Sequence, residues 1–173
     1  MPVYLVQYDD LWPDRFNEER DHILRVLSGQ TVEVEHIGST AIPGMAAKPI
    51  IDMMVLIEDI QASLPCMEPL ETLGYHYYPY GEDVFPERRW FCKPNATQRT
   101  HHVHLVERKT PFHRDHILFR DYLRTHRDAA RGYEILKRQL ARRYPDDRDR
   151  YTDGKSDFVA TILEKARDQA AID

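Results

Sequence analysis

Cysteines, long apolar runs and a surplus of basic residues are all scarce in this sequence, and each shortage excludes something. The chain has two cysteines in 173 residues, Cys66 and Cys92, at no spacing that suits metal ligation. A disulfide-stapled secreted scaffold is excluded, and both thiols are expected to be reduced, as in the cytoplasm. The longest apolar stretch, Ile50 to Ile57, is short and interrupted by Asp52, so no membrane-spanning helix is expected. Met1-Pro2-Val3-Tyr4-Leu5-Val6-Gln7 lacks a basic segment leading into a long apolar one, so no secretory leader is expected. The net charge of -5 argues against general nucleic-acid binding through a positive surface. Lys and Arg nevertheless concentrate between Arg114 and Arg150, which leaves a local basic groove open. There is no internal repeat and no low-complexity segment. The 42% hydrophobic and 31% charged content is that of a soluble globular protein, and the length suits one domain with a helical extension.

Periodicity then orders the chain. Phe16, Ile23, Leu24 and Leu27 recur at helical spacing after Pro13, and Gly29 suits a stop, which predicts a helix over roughly 13 to 28. Alternation at Val32, Glu33, Val34 and Glu35 predicts a half-buried strand over 31 to 37, and the apolar run 50 to 57 predicts a central strand. A helix is expected over 60 to 73, split or delayed by Pro65 and Pro69. Strands are expected at Tyr75 to Tyr80, Arg88 to Lys93 and Thr100 to Val106. From Phe112 the spacing turns helical: Ile117, Leu118, Tyr122 and Leu123 line one helix, and Tyr133, Leu136 and Leu140 the next. Asp153 is the expected cap of a last helix buried through Phe158, Val159, Ile162 and Leu163. The fold class is therefore α+β: a mixed sheet core over 1–110 with flanking helices, and a helical C-terminal third over 111–173, packed as a single domain.

The densest stretch runs from Val34 to Asp52. It reads as a strand, a tight Gly38-Ser39-Thr40 turn, a short connector and a second strand bearing a carboxylate. Gly38 allows a sharp turn and close approach of an anion, and Ser39 and Thr40 add hydroxyls. The bland reading is a turn and cap. Asp52, which interrupts an apolar strand where an unpaired charge is costly, tilts the balance toward a site.

Glu35-His36-Ile37-Gly38-Ser39-Thr40-Ala41-Ile42-Pro43-Gly44 with Lys48-Pro49-Ile50-Ile51-Asp52 resembles the signature of the GrpB family. The resemblance continues through His102-Val103-His104-Leu105, Phe119 to Arg124, Tyr133 with Lys137, and Tyr151 with Lys155, and so spans nearly the whole chain. GrpB proteins are similar to the nucleotidyltransferase superfamily and are sometimes fused to dephospho-CoA kinase. The resemblance implies a nucleotidyltransferase-like fold, with Gly38 and Ser39 matching a phosphate-binding turn and Asp52 the first metal-binding carboxylate. It implies Mg²⁺ or Mn²⁺ as cofactor and an NTP as substrate. Two positions depart from the superfamily pattern. Met54 stands where a second acid belongs, and His102-Val103-His104 replaces the third, which stands against transfer by two Mg²⁺ ions.

His102 and His104, two apart on a strand, share a face and can ligate one metal with Asp52; imidazoles suit Zn²⁺ or Mn²⁺ better than Mg²⁺. Alternatively they bind phosphate oxygens, or are structural. His36 is positioned to orient the turn, while His101, His113, His116 and His126 read as surface residues. Lys48 reaches the turn or is a solvated connector residue. Arg120 and Arg124, four apart on a helix, can form an anion fork, with Asp121 on another side. Lys137 and Lys155 are the favoured phosphate partners, because the resemblance singles out the same positions. Trp90 and Phe91 read as core, with base stacking as the alternative, and Arg142 to Arg150 reads as a solvated linker. Three functions follow: a metal-dependent nucleotidyltransferase, a non-catalytic binder of a nucleotide or CoA-like phosphorylated ligand, and a transition-metal hydrolase.

Overall fold

The computed structural model describes residues 2–79 and 82–171. Tyr80, the end of the expected third strand, lies outside the described residues.

The alternating and apolar stretches become β1 (Glu33–Ile37) and β2 (Ile51–Ile57), which pair antiparallel with Ile37 opposite Asp52. β3 (His76–Tyr78), β4 (Arg88–Lys93) and β5 (His101–Glu107) complete a five-stranded sheet in the order β1-β2-β5-β4-β3. β2 and β5 run parallel and the other neighbours antiparallel, so the sheet is mixed.

Side chains alternate across the sheet, and the two faces differ. On one, Val34, Met53, Val55, Phe91, Val103 and Leu105 form a continuous apolar cluster. Trp12, Ile23 and Leu27 of α1 (Trp12–Val26) and Cys66 and Leu70 of α2 (Leu64–Thr72) close it. Pro13 sits in the first turn of α1. The two prolines delay the second helix: a 3₁₀ turn at Ile60–Ala62 comes first, Pro65 opens α2 and Pro69 lies inside it. Both cysteines are free and buried.

The other face is only partly covered. Phe112 of α3 (Pro111–Thr125) packs on Ile37, Met54, Leu56 and Val106. α3 in turn holds α4 (Arg127–Arg143) and α6 (Ser156–Ala170), where Leu123, Tyr133 and Ile162 gather around Ile42 and Met45 of the connector.

The expected linker at Arg142 to Arg150 is corrected in part. α4 runs through Arg143, and the Asp147 carboxylate accepts from the Arg150 N–H at 3.0 Å, capping a short α5 (Arg148–Asp153). Asp153 therefore ends α5, and Lys155 occupies the cap position of α6 without a side-chain cap bond. Among the described residues no helix is long and apolar enough to cross a membrane.

Candidate functional site

Gly38 follows β1 with φ 71° and ψ -172°, a combination essentially confined to glycine. A Cβ there would stand 2.5 Å from Asp52 Oδ2. The anion that approaches this backbone is thus the chain's own carboxylate. The 3₁₀ turn Ser39–Ala41 comes next. Thr40 Oγ1 donates to the Ile50 carbonyl at 3.2 Å and lies 3.0 Å from His36 Nε2. Because that hydroxyl spends its proton on Ile50, Nε2 of His36 is the donor to it. Burial, opposed by Asp52 and reinforced by Arg124 and Arg120, pushes His36 down to about 4, so the ring is neutral at pH 7. The expected orienting role of His36 is what the geometry provides, and the Thr40 hydroxyl braces the turn.

The parallel pairing of β2 and β5 sets Asp52 opposite His102 and Met54 opposite His104. His102 Nδ1 donates to Asp52 Oδ1 at 2.7 Å, since a carboxylate only accepts. Burial pushes the Asp52 carboxyl up, but the hydrogen bond and charge of His102, with His104 and Lys48 behind them, outweigh it and hold it at about 2. His102 Nε2 is buried with no hydrogen-bond partner among the described residues. One donor atom from each of Asp52, His102 and His104 lies within 4.8 Å of the others. Burial, opposed by Asp52, holds His104 well below the ordinary histidine value, which favours the neutral ring that can ligate. Met54 is fully buried among Ile37, Leu56, Val106 and Phe112, so an apolar side chain fills the space of a second acid.

His116, read from sequence as a surface residue, lines this cavity. Its Nδ1 donates to the Phe112 carbonyl at 2.8 Å, its ring stacks on Phe112 at 4.1 Å, and its centroid is 6.4 Å from that of His104.

A cavity of 1110 Å³ brings together Gly38, Ser39, Thr40, Lys48, Asp52, His102, His104, Lys137 and Lys155. Lys137 is 2% exposed, and its Nζ donates to Ser39 Oγ at 2.9 Å and to the Ala46 carbonyl at 2.7 Å. Burial, then the Lys155 charge, pushes Lys137 down to about 7. Lys48 and Lys155 hold their ammonium groups 5.1 and 4.7 Å from the Tyr151 ring centroid. Burial brings each down to about 8. Three lysines from three segments thus meet beside the Gly38-Ser39 turn.

The expected Arg120–Arg124 fork is corrected. Arg120 Nη1 donates to Glu35 Oε2 at 2.5 Å and to the His36 carbonyl at 2.9 Å, and Nε donates to Asp121 at 2.7 Å. Arg124 Nε donates to the Ala41 carbonyl at 2.9 Å and Nη1 reaches Asp121. Asp121 therefore serves both arginines, which pin α3 to β1 and the turn.

Sequence reasoning missed Arg88, Arg99, Arg148 and Tyr133 as cavity residues. Arg88 lies over Phe85 and Phe112, each at 5.4 Å, and Arg99 over Trp90 at 4.9 Å. Strand alternation was the available signal for one neighbour: Phe91 enters the closed core, so Trp90 must face the cavity.

Residues 2–165 match the family model described as GrpB protein. UPF0157 protein YqkA of Bacillus subtilis is 41% identical over 165 residues, covering 95% of this chain and 47% of the relative. A dephospho-CoA kinase of Mycolicibacterium paratuberculosis is 27% identical over 191 residues, covering 98% of this chain and 47% of that protein. The chain spans about half the length of both relatives. Among solved structures, GrpB from Enterococcus faecalis matches with a TM-score of 0.86 at 36% identity, covering 96% of this chain and 99% of that one. The Cid1 poly(U) polymerase bound to MgGTP matches with a TM-score of 0.55 at 15% identity, covering 79% of this chain and 44% of that one. At that identity the likeness speaks for a nucleotidyltransferase-like fold alone.

Proposed function

This chain belongs to the GrpB family, and from that premise we propose that it is a metal-dependent nucleotidyltransferase, moving a nucleoside monophosphate from an NTP to a small acceptor. The observation that carries this is the cluster of Asp52, His102 and His104, with one donor atom of each within 4.8 Å of the others, on the floor of a cavity walled by lysines. His102 would meet the ion through Nδ1, the nitrogen that faces Asp52, with the proton of that hydrogen bond given up on binding.

The donor set fits a divalent ion. Asp52, His102 and His104 would hold it, and two imidazoles to one carboxylate favour Mn²⁺ or Zn²⁺ over Mg²⁺. Such an ion supplies charge neutralisation at phosphate oxygens. The chain's own residues do the rest. Lys137 fixes the Ser39 hydroxyl against the phosphates, and Lys48 and Lys155 face their remaining charge. An acceptor oxygen bonds to the α-phosphorus, the bond from that phosphorus to the bridging oxygen breaks, pyrophosphate leaves and the hydroxyl proton passes to solvent.

Incubation with γ-labelled ATP, Mn²⁺ and a pool of small-molecule acceptors tests the reading. Pyrophosphate release that Asp52→Ala abolishes supports it; no release from any of the common NTPs with Mg²⁺, Mn²⁺ or Zn²⁺ contradicts it. Release of inorganic phosphate would mark hydrolysis by the same metal site instead.

Met54 favours a second reading, a non-catalytic binder of a nucleotide or CoA-like ligand, because the place of the second acid is apolar and fully buried. Heat on titration with ATP, CoA or dephospho-CoA, without pyrophosphate release, supports it; flat titrations with all of them remove it.

A further inference from the structure

We propose that Arg99 and Arg148 form a second anion subsite that holds a phosphate carried by the acceptor, so that the acceptor is itself a phosphorylated small molecule. The acceptor assignment rests on the nucleotidyl-transfer reading; the subsite does not.

The cations that line the cavity differ in how their donors are used. Arg120 and Lys137 have theirs committed to carboxylates, carbonyls or the Ser39 hydroxyl. Arg99 and Arg148 do not. Arg99, in the loop before β5, lies over the Trp90 ring at 4.9 Å and gives only its Nε to a carbonyl, that of Ala96 at 2.9 Å. Its two Nη groups have no hydrogen-bond partner among the described residues. Arg148 opens α5 half-buried, with no side-chain hydrogen bond or ion pair among the described residues. Burial and the like charge of Arg99 push Arg148 down, with Asp52 and Asp149 acting in the opposite sense.

Lys48 and Lys155 stand between this pair and the nucleotide turn. Lys48 feels Arg148, Lys155 and Arg99, while Lys137 beside Ser39 feels Lys155 and Lys48. Holding like charges together and half-buried, with neither guanidinium paired to a carboxylate, is unfavourable, and a bound anion relieves it. Two guanidiniums match a phosphate monoester, which carries about −1.5 to −2 at pH 7. Planar forks also suit its oxygens better than ammonium groups do. Arg99 and Arg148 line the side pocket beside Pro2, Val3 and Tyr4 as well as the main cavity, so they stand where the two meet. On the nucleotidyl-transfer reading the nucleotide phosphates fall to Ser39, Lys137 and the ion that Asp52 would hold, which leaves this pair for a different phosphate.

The test is isothermal titration of inorganic phosphate into the whole chain at pH 7 and fixed ionic strength. R99Q/R148Q should bind at least tenfold more weakly than wild type. Wild type loaded with ATP should still take up phosphate. Equal binding by wild type and R99Q/R148Q overturns the subsite. Displacement of phosphate by ATP overturns the acceptor assignment and gives the arginines to the nucleotide. Should ATP fail to bind at all, the nucleotide reading falls while phosphate binding by the free chain still reports on the subsite. Thermal melting checks the fold of the variant, and its midpoint should hold or rise as the repulsion is removed; R148Q alone serves if the double variant does not fold.

Discussion

On the face of the sheet under α1 and α2, Met53, Val55, Phe91, Val103 and Leu105 are fully buried in one apolar cluster. On the other face the same strands present Asp52, His102, His104 and Trp90 to a cavity. Neighbours in sequence therefore do different work: Asp52 and Met53 differ by one position and by a whole side of the sheet. A slip of one residue in β2 would exchange the core for the site, so the closed face also sets the register on which the open face depends. The closed face is apolar and satisfied. The open face keeps crowded cations and an unpartnered imidazole nitrogen, features that cost stability and favour ligands.

The largest expected effect strikes the closed face. Phe91→Ala removes a fully buried ring and should cost about 3–5 kcal/mol, read by urea denaturation. The molecules that remain folded should bind Mn²⁺ as before. A matching loss of metal affinity would break the division between the faces.

Gly38→Ala joins them. Strain at this backbone conformation should cost about 1–3 kcal/mol. The new methyl must also displace Asp52, so metal binding should fall although every ligand is still present. Asp52→Asn sharpens the contrast: the amide oxygen still accepts from His102 but the charge that held the carboxyl low is gone, so stability should fall by about 1–3 kcal/mol while Mn²⁺ binding is lost. A large drop in stability with metal affinity retained would make Asp52 structural.

The smallest effect is in pH. Lys137 at about 7 and Lys48 and Lys155 at about 8 are cationic below those values and neutral above them. Affinity for sulfate, an anion whose charge is fixed over this range, should therefore be greatest near pH 6 and fall as pH rises through 7 to 8, with the fall moved upward in the complex because the anion favours the charged lysines. Folding responds in the opposite sense. Above pH 7 the unfolded chain holds protons that the buried lysines have released, so these groups make the empty protein more stable as pH rises toward 10.5. Titration calorimetry and denaturation across the same pH series check both slopes.

Much of this was legible in sequence. The alternation around Val34 and the run ending at Ile57 foretold β1 and β2, and the Gly38 turn and Asp52 marked the join that the cavity surrounds. The short α5 was not foreseen, because charges of both signs over Arg142 to Arg150 look solvated and Asp147 was not recognised as a cap. His116, Arg99 and Arg148 escaped for another reason. Their significance comes from residues distant in sequence, such as the stacking of Arg99 on Trp90 and the closeness of His116 to His104, and no local spacing encodes it. Arg120 and Arg124 erred the other way. Helical spacing correctly put them on one face, but only the fold shows that Glu35, the His36 carbonyl and Asp121 take up their donors.

The most direct test of the central claim is Mn²⁺ titration followed by electron paramagnetic resonance. One ion should bind per chain, with nitrogen coupling from imidazole that His102→Ala reduces, and Asp52→Asn should leave the signal of the free ion. A free-ion signal from the wild-type chain up to equimolar Mn²⁺, or a bound ion without nitrogen coupling, would contradict it.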